Sequence, residues 1–161
     1  LNPSLTNLRQ VREMREPPRL LPPGATYHFT LRLAQQGSTL LTDNIGALRF
    51  AYARAVAEFP VTCHAMVVLP DHIHAIWTEP QGGIWYAERW RRIKTRFAQA
   101  AASPGAPLWQ PRFQERALLD TAAFLRALDD CRISPVGQGL VSHPALWPYS
   151  SFSKALASAE A

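Results

Sequence analysis

Two histidines, two positions apart, are the residues of this sequence best placed to do chemistry. His72 and His74 follow a Pro70-Asp71 turn with apolar, β-branched residues on either side, which predicts a strand on each side of the turn. Side chains at i and i+2 of a strand share a face, so the two imidazoles should lie together. Such a pair can bind a metal ion, and it also fits two surface histidines. The other histidines are isolated and expected to be structural: His28, His64 and His143.

A basic helix is the second candidate site. Trp90, Ile93 and Phe97 are spaced as the buried stripe of a helix predicted over about Trp85 to Ala102. Its cations offer bidentate contacts to phosphate, and few acidic residues nearby in the sequence could neutralise them. A solvated helix face is the alternative. The predicted DNA-binding cations are Arg89, Arg91, Arg92, Lys94 and Arg96.

The segment from Leu108 to Ala117 is the third candidate site. Trp109, Gln110 and Arg112 combine a base-stacking ring with amide and guanidinium groups that suit base edges. Trp109 fits a place in the core equally well. The segment could be a short strand or an extended loop.

Composition places the chain in a broad class. It has 161 residues, 47% of them hydrophobic, with a net charge of +5, which favours one globular domain with a polyanionic partner. No apolar run is long enough to cross a membrane. Two cysteines do not form a disulfide framework, which favours reduced thiols in the cytoplasm. The predicted division is a basic, proline-rich arm at 1–23, a domain at 24–152 and a tail at 153–161.

The order of predicted elements is strand, helix, two strands, helix, strand or loop, helix. It indicates an α+β fold, an antiparallel sheet with helices mainly on one face. The third helix is predicted from Thr121 to about Ile133, ending near Pro135.

At these motifs the chain resembles the REP-associated tyrosine transposases, single-tyrosine members of the HUH group. The resemblance covers about residues 24 to 152 and runs in the family's order. It is carried by Tyr27-His28-Phe29-Thr30, Val68-Leu69-Pro70-Asp71-His72-Ile73-His74, Arg89-Trp90-Arg91-Arg92-Ile93-Lys94, Trp109-Gln110-Pro111-Arg112-Phe113, Pro135-Val136 and Trp147-Pro148-Tyr149-Ser150-Ser151-Phe152. It implies an HUH-type (ferredoxin/RRM-like) sheet flanked by helices.

The resemblance also implies a ligand and a reaction. The ligand is hairpin DNA with a single-stranded extension, bound by a monomer or homodimer. In the reaction, a tyrosine attacks a DNA phosphodiester while Mg²⁺ or Mn²⁺ on His72 and His74 polarises the phosphate.

The sequence departs from the family at the nucleophile. Counting back from Pro135-Val136, Asp130 stands at the tyrosine position and Ser134 at the position of an asparagine. A carboxylate would form only a labile mixed anhydride with phosphate, although Asp130 could instead ligate a metal. We therefore expect a DNA-binding protein that recognises REP-type hairpins and is deficient in cleavage. The alternative is an active metal-dependent single-strand endonuclease or strand transferase.

Overall fold

The computed structural model describes residues 24–101 and 107–154. The predicted arm at 1–23 lies outside them, as does the predicted tail from residue 155 onward. The strands in the described part are β1 (Thr26–Arg32), β2 (Thr62–Val68), β3 (His72–Thr78) and β4 (Gln114–Ala117). The α-helices there are α1 (Leu40–Asp43), α2 (Ile45–Glu58), α3 (Tyr86–Ala101) and α4 (Thr121–Gly137), followed by a 3₁₀ turn at Pro144–Leu146.

The four strands form one antiparallel sheet in the order β2-β3-β1-β4. β1 is central, with Thr30 opposite His74 on β3 and opposite Gln114 on β4. Together with α2 and α3 the strands give the βαββαβ order of ferredoxin-like folds. The predicted α+β antiparallel sheet is therefore confirmed, and the segment after Leu108 does contain a strand.

One face of the sheet packs against α2 and α3. Phe29, Ile73 and Trp77 point to this face from alternate strand positions and belong to the larger apolar cluster. Trp90 of α3 stacks on Trp77, with ring centres 4.1 Å apart. The predicted stripe on α3 is buried as expected, and it fixes that helix on the sheet.

The other face is covered over half of its width by α4. Its apolar half, on β2 and β3, includes Val67 and Ile76, which pack against Phe124, Ala127 and Cys131 of α4. The prediction that helices lie mainly on one face is therefore incomplete. A helix also packs on the second face, because apolar strand residues there must be buried as well. The half formed by β1 and β4 is polar and carries the candidate site.

The predicted end of α4 near Pro135 is wrong by one short turn, since the helix continues to Gly137. Proline has no N–H to donate to the carbonyl four residues earlier, which is that of Cys131. The Ser134 hydroxyl donates to this carbonyl instead, at 2.8 Å. Ser134 therefore satisfies the backbone at the one position where the proline would leave it unpaired.

The free edge of β2 is closed by the aromatic C-terminal segment. The Val68 N–H donates to Tyr149 at 2.8 Å, and the Ser151 N–H donates to Met66 at 2.9 Å. None of the described helices is long and apolar enough to cross a membrane.

A half-buried histidine beneath α4 makes stability depend on pH. Burial lowers the pKa of His64 to about 4, and its ring packs edge-on against Phe124. Below the unfolded pKa of about 6.5, the unfolded chain takes up a proton that the folded chain refuses. Stability is therefore lost as pH falls from about 6.5 towards 4, by up to about 1.4 kcal/mol per pH unit from this group.

Urea unfolding at several pH values measures this dependence in the wild type, His64→Gln and a control, His143→Gln. We expect His64→Gln to flatten the acid limb. His143→Gln is the comparison variant, because His143 is exposed and lies outside the sheet, at the 3₁₀ turn. An unchanged slope in His64→Gln would mean that other groups carry the effect.

Candidate metal and nucleic-acid site

A polar cleft of about 610 Å³ lies on the half of the sheet that α4 leaves uncovered. It is built by strand alternation, because every second side chain of β1, β3 and β4 points to this face. Asp130 of α4 faces it from the helix layer. The wall residues are His28, Thr30, His74, Gln114, Glu115, Arg116 and Asp130.

His72 lies beside His74, with ring centres 5.1 Å apart, but it does not line the cleft and is only 4% exposed. Its Nδ1 is 2.6 Å from the carboxylate of Asp71. Burial by itself would raise the pKa of Asp71, but hydrogen bonds from the Gly37 N–H and His72 hold it below its usual value. An ionised carboxylate only accepts, so Nδ1 of His72 carries the proton and Nε2 keeps its lone pair. Gly37 donates from a turn with φ +85°, a conformation that strains other residues.

His74 is also held through Nδ1. Thr30 Oγ1 and His28 Nε2 each lie 3.2 Å from that atom. Burial, with the neighbouring His72, His28 and Arg32, lowers the pKa of His74 to about 3. Burial likewise lowers the pKa of His72, although Asp71 opposes the shift. Both imidazoles are therefore neutral at neutral pH.

The two histidines fit two positions of a metal coordination sphere. Neutral imidazoles are the ligating form, and fixing Nδ1 by a second group orients the ring. No described residue donates to or accepts from Nε2 of either ring. Residues 24–101 and 107–154 contain no set of three His, Cys, Asp or Glu side chains arranged to hold a metal.

Asp130, which the count from Pro135 predicts to stand at the family's tyrosine position, is exposed and lines the same cleft as His74. The four tyrosines of the sequence pack in or against the apolar cluster on the opposite face of the sheet, away from the cleft: Tyr27, Tyr52, Tyr86 and Tyr149. Ser134, engaged with the backbone of α4, does not line it.

Cys131 adjoins the cleft as a thiol. Its Sγ lies 3.7 Å from His28 Nε2, and burial, with Asp130 and Cys63, raises its pKa to about 12. A protonated thiol is a poor nucleophile, so this environment does not activate Cys131.

Two of the residues predicted to contact DNA are enclosed, and for them that prediction is wrong. Arg89 is fully buried, and its guanidinium bonds to the buried carboxylate of Glu79 and to the Phe59 carbonyl. Trp109 is 8% exposed, packs edge-on against Phe97 and donates its indole N–H to the Lys94 carbonyl. Both side chains connect neighbouring elements of the core, and neither is exposed enough to contact a nucleic acid.

The other cations of α3 are less free than the sequence suggests. Arg92 bonds to Glu58 and Glu88, and Arg96 pairs with Glu58. Arg91, the most exposed of the row, pairs with Glu88. The expectation of few nearby acids fails for two reasons: Glu88, on α3 itself, pairs with Arg91 and Arg92, and Glu58, distant in sequence, comes from α2. The remaining cation, Lys94, is half-buried, 5.9 Å from the centre of the Phe113 ring.

Exposed residues on β4 and on the loop before it are better candidates for DNA contacts than the cations of α3. Gln110 and Arg112 are exposed, as a nucleic-acid contact requires. Of the other cleft residues, Gln114 and Arg116 lie in the third candidate segment but were not singled out, and His28 was expected to be structural. The alternation of side chains along β1 could have predicted that His28 and Thr30 share a face. Which residues of β3 and β4 lie beside them depends on strand pairing, which the sequence does not show.

Comparison with known proteins identifies the family. A REP-associated tyrosine transposase of Escherichia coli K12 is 38% identical over 134 residues, 83% of this chain and 80% of the relative. A relative from Haemophilus influenzae with the same family name is 32% identical over 141 residues, 80% of each chain.

A solved REP-associated tyrosine transposase, bound to a REP hairpin, superposes with a TM-score of 0.78 at 38% identity. The match covers 85% of this chain and 82% of that one, which confirms the predicted HUH-type fold. No family model matches the sequence. The relatives and the shared fold together show that the chain belongs to the REP-associated tyrosine transposase family.

Proposed function

We propose that this protein binds hairpin DNA of the REP type through the polar cleft and does not form a tyrosyl–DNA linkage. The observation that carries the proposal is Asp130, which lines the cleft with His28 and His74 while the four tyrosines pack on the other sheet face. The relative of 38% identity was solved with a REP hairpin bound, which supports the choice of ligand.

The cleft offers groups suited to a DNA strand. Arg116 is exposed, lies 3.4 Å from Nδ1 of His28 and bonds to no carboxylate of the described residues. A free guanidinium contacts phosphate in bidentate fashion. Gln114 beside it can read base edges by donating and accepting. Gln110 and Arg112 extend this polar surface along the chain before β4.

His72 and His74 would hold a divalent ion, Mn²⁺ or Mg²⁺, through Nε2. Two imidazoles favour Mn²⁺ over Mg²⁺, which prefers oxygen ligands. When bound, the ion would polarise a phosphate oxygen of the DNA. The protein's own contribution is to orient both rings through Asp71, Thr30 and His28, and to keep them neutral by burial.

The test is a denaturing gel with a labelled hairpin bearing a single-stranded extension, in Mn²⁺ or EDTA, with a native gel in parallel. We expect a native band shift, no covalent adduct and no cleavage. A protease-sensitive adduct would contradict the proposal and identify a nucleophile by mapping.

Cleavage without an adduct would favour a second function, a metal-dependent nuclease that uses water. Asp130 makes that candidate specific, because its carboxylate faces the cleft and could accept a proton from water. Asp130→Asn would then abolish cleavage and leave the band shift.

Neutralising Arg116 should weaken hairpin binding. Arg116→Gln removes one phosphate contact, so the slope of log K against log salt should become shallower by about 1. Arg132→Gln is the matched control, because Arg132 already pairs with Asp129 on α4. Fluorescence anisotropy over a salt series measures both variants. Equal slopes for Arg116→Gln and the wild type would remove Arg116 from the interface.

A further inference from the structure

Exposed apolar side chains are concentrated on α4 and the turn that follows it. Nine large apolar residues are exposed in the described part of the chain, and four of them lie here: Leu125, Ile133, Val136 and Leu140. Single exposed apolar residues are normal on a soluble protein, whereas a group on one helix indicates a contact surface. The sheet-facing side of α4 is already used, since Phe124, Ala127 and Cys131 pack there.

Four residues of α4 form a line on the side turned away from the sheet. Leu125, Asp129, Arg132 and Val136 are separated by four, three and four positions, the spacing of a helix–helix seam. We call these four residues the α4 seam. Leu125 and Asp129 also line a groove of about 470 Å³ between α4 and the end of β4, so this side of the helix is open to solvent.

The middle of the α4 seam is charged, and its ends are apolar. Asp129 and Arg132 bond to each other at 2.7 Å, yet 58% and 43% of their side chains remain exposed. Leu125 lies one turn before Asp129, and Val136 lies one turn after Arg132. The spacing is the same from either end, while acid and base exchange places. The seam is therefore complementary to a reversed copy of itself.

We propose that the α4 seam is the interface of a homodimer in which two copies of α4 pack antiparallel about a two-fold axis. With the axis between positions 130 and 131, Leu125 meets Val136 of the partner subunit, and Asp129 meets the partner's Arg132. Two-fold symmetry repeats each contact, which gives two apolar layers and two ion pairs. A parallel pair would bring Asp129 against the partner's Asp129, so the charges select the antiparallel arrangement.

The seam and the cleft lie on different sides of α4. Asp130 lines the cleft, and successive residues of a helix are about 100° apart, which separates it from Asp129. Self-association through the seam therefore needs no DNA and does not depend on the proposed function. It should be weak, because two apolar layers make a small interface and exposed ion pairs add orientation more than affinity.

Sedimentation equilibrium of the whole chain, from about 1 μM to about 1 mM, tests the dimer. We expect reversible dimerisation of the wild type with a dissociation constant of about 10–100 μM. Asp129→Arg and Arg132→Asp should each weaken it by about 100-fold or more, because like charges then meet at both ion-pair positions. Arg54→Asp on α2 is the control, an exposed arginine outside the seam, and should keep the wild-type value.

Mixing the two single variants makes the test specific for this register. One variant carries two bases in the seam and the other carries two acids, so an equimolar mixture should dimerise about as well as the wild type. The double variant with both substitutions should also dimerise, because it only exchanges acid and base. Recovery in the mixture shows in addition that both single variants are folded, and thermal melting of each alone checks the same point.

Three results would overturn this interface. One is a wild type that stays monomeric at the highest concentration. Another is a dimer that tolerates Asp129→Arg, which would place the contact elsewhere. The third is a mixture of the two folded single variants that remains monomeric. The hairpin band shift is read separately: a wild type that shifts the hairpin but does not dimerise overturns the dimer alone.

Discussion

Replacing Arg89 with alanine is expected to lower the free energy of unfolding by about 3–5 kcal/mol. The side chains of Arg89 and Glu79 are both fully buried, with Nη1 and Oε1 2.7 Å apart. Removing the guanidinium leaves the Glu79 carboxylate buried and without its counter-ion. It also removes the hydrogen bond to Phe59 and the contact with the Trp77 ring, 4.9 Å from Cζ. The cost is large because desolvation of the remaining charge is no longer offset.

Urea unfolding monitored by circular dichroism measures the effect, with Arg92→Ala as the matched control on the same helix. Arg92 bonds to Glu58 and Glu88 at the surface, where solvent screens the interaction, so its loss should be far smaller. The double variant Arg89→Met with Glu79→Leu should recover part of the loss, because no charge is then left buried. Similar losses for Arg89→Ala and Arg92→Ala would contradict the structural role given to the buried pair.

Removing both histidines of the pair is expected to reduce Mn²⁺ affinity by about 100-fold or more. Loss of a group that merely orients a ligand costs roughly 10–100-fold, so loss of the ligands themselves should cost at least the upper value. Asp71→Asn should cost about tenfold, because its amide no longer fixes Nδ1 of His72 as the protonated nitrogen. Titration of free Mn²⁺ by electron paramagnetic resonance measures all of these.

The control for this series is His64→Gln, which removes a histidine from the same sheet but not from the pair. Its Mn²⁺ affinity should match the wild type. Undiminished Mn²⁺ binding in the variant lacking His72 and His74 would place the ion elsewhere. A wild type that fails to bind Mn²⁺ would limit the cleft to nucleic-acid binding.

Much of the fold could be read from the sequence because it is encoded by local periodicity. The spacing of Trp90, Ile93 and Phe97 predicted α3 to within a few residues. The predicted end of α4 near Pro135 was wrong because a helix can continue past a proline when another group donates to the carbonyl that the proline leaves unpaired. In α4 that donor is the hydroxyl of Ser134. Asp130 lines the cleft, and its assignment to the family's tyrosine position stays a prediction.

Burial and pairing were decided only by the tertiary structure. Arg89 and Arg92 are one turn apart on one helix and look alike in the sequence, yet one is enclosed and the other lies at the surface. Glu58 neutralises the basic row from another helix, a contact that spans more than 30 residues of sequence. Charge and burial depend on what packs nearby in space, and side chains of β1, β3 and β4 meet in the cleft only through sheet pairing. The sequence by itself was enough to indicate the family and the paired histidines, and to predict Asp130 at the tyrosine position, because each is a matter of residue type and spacing along one segment.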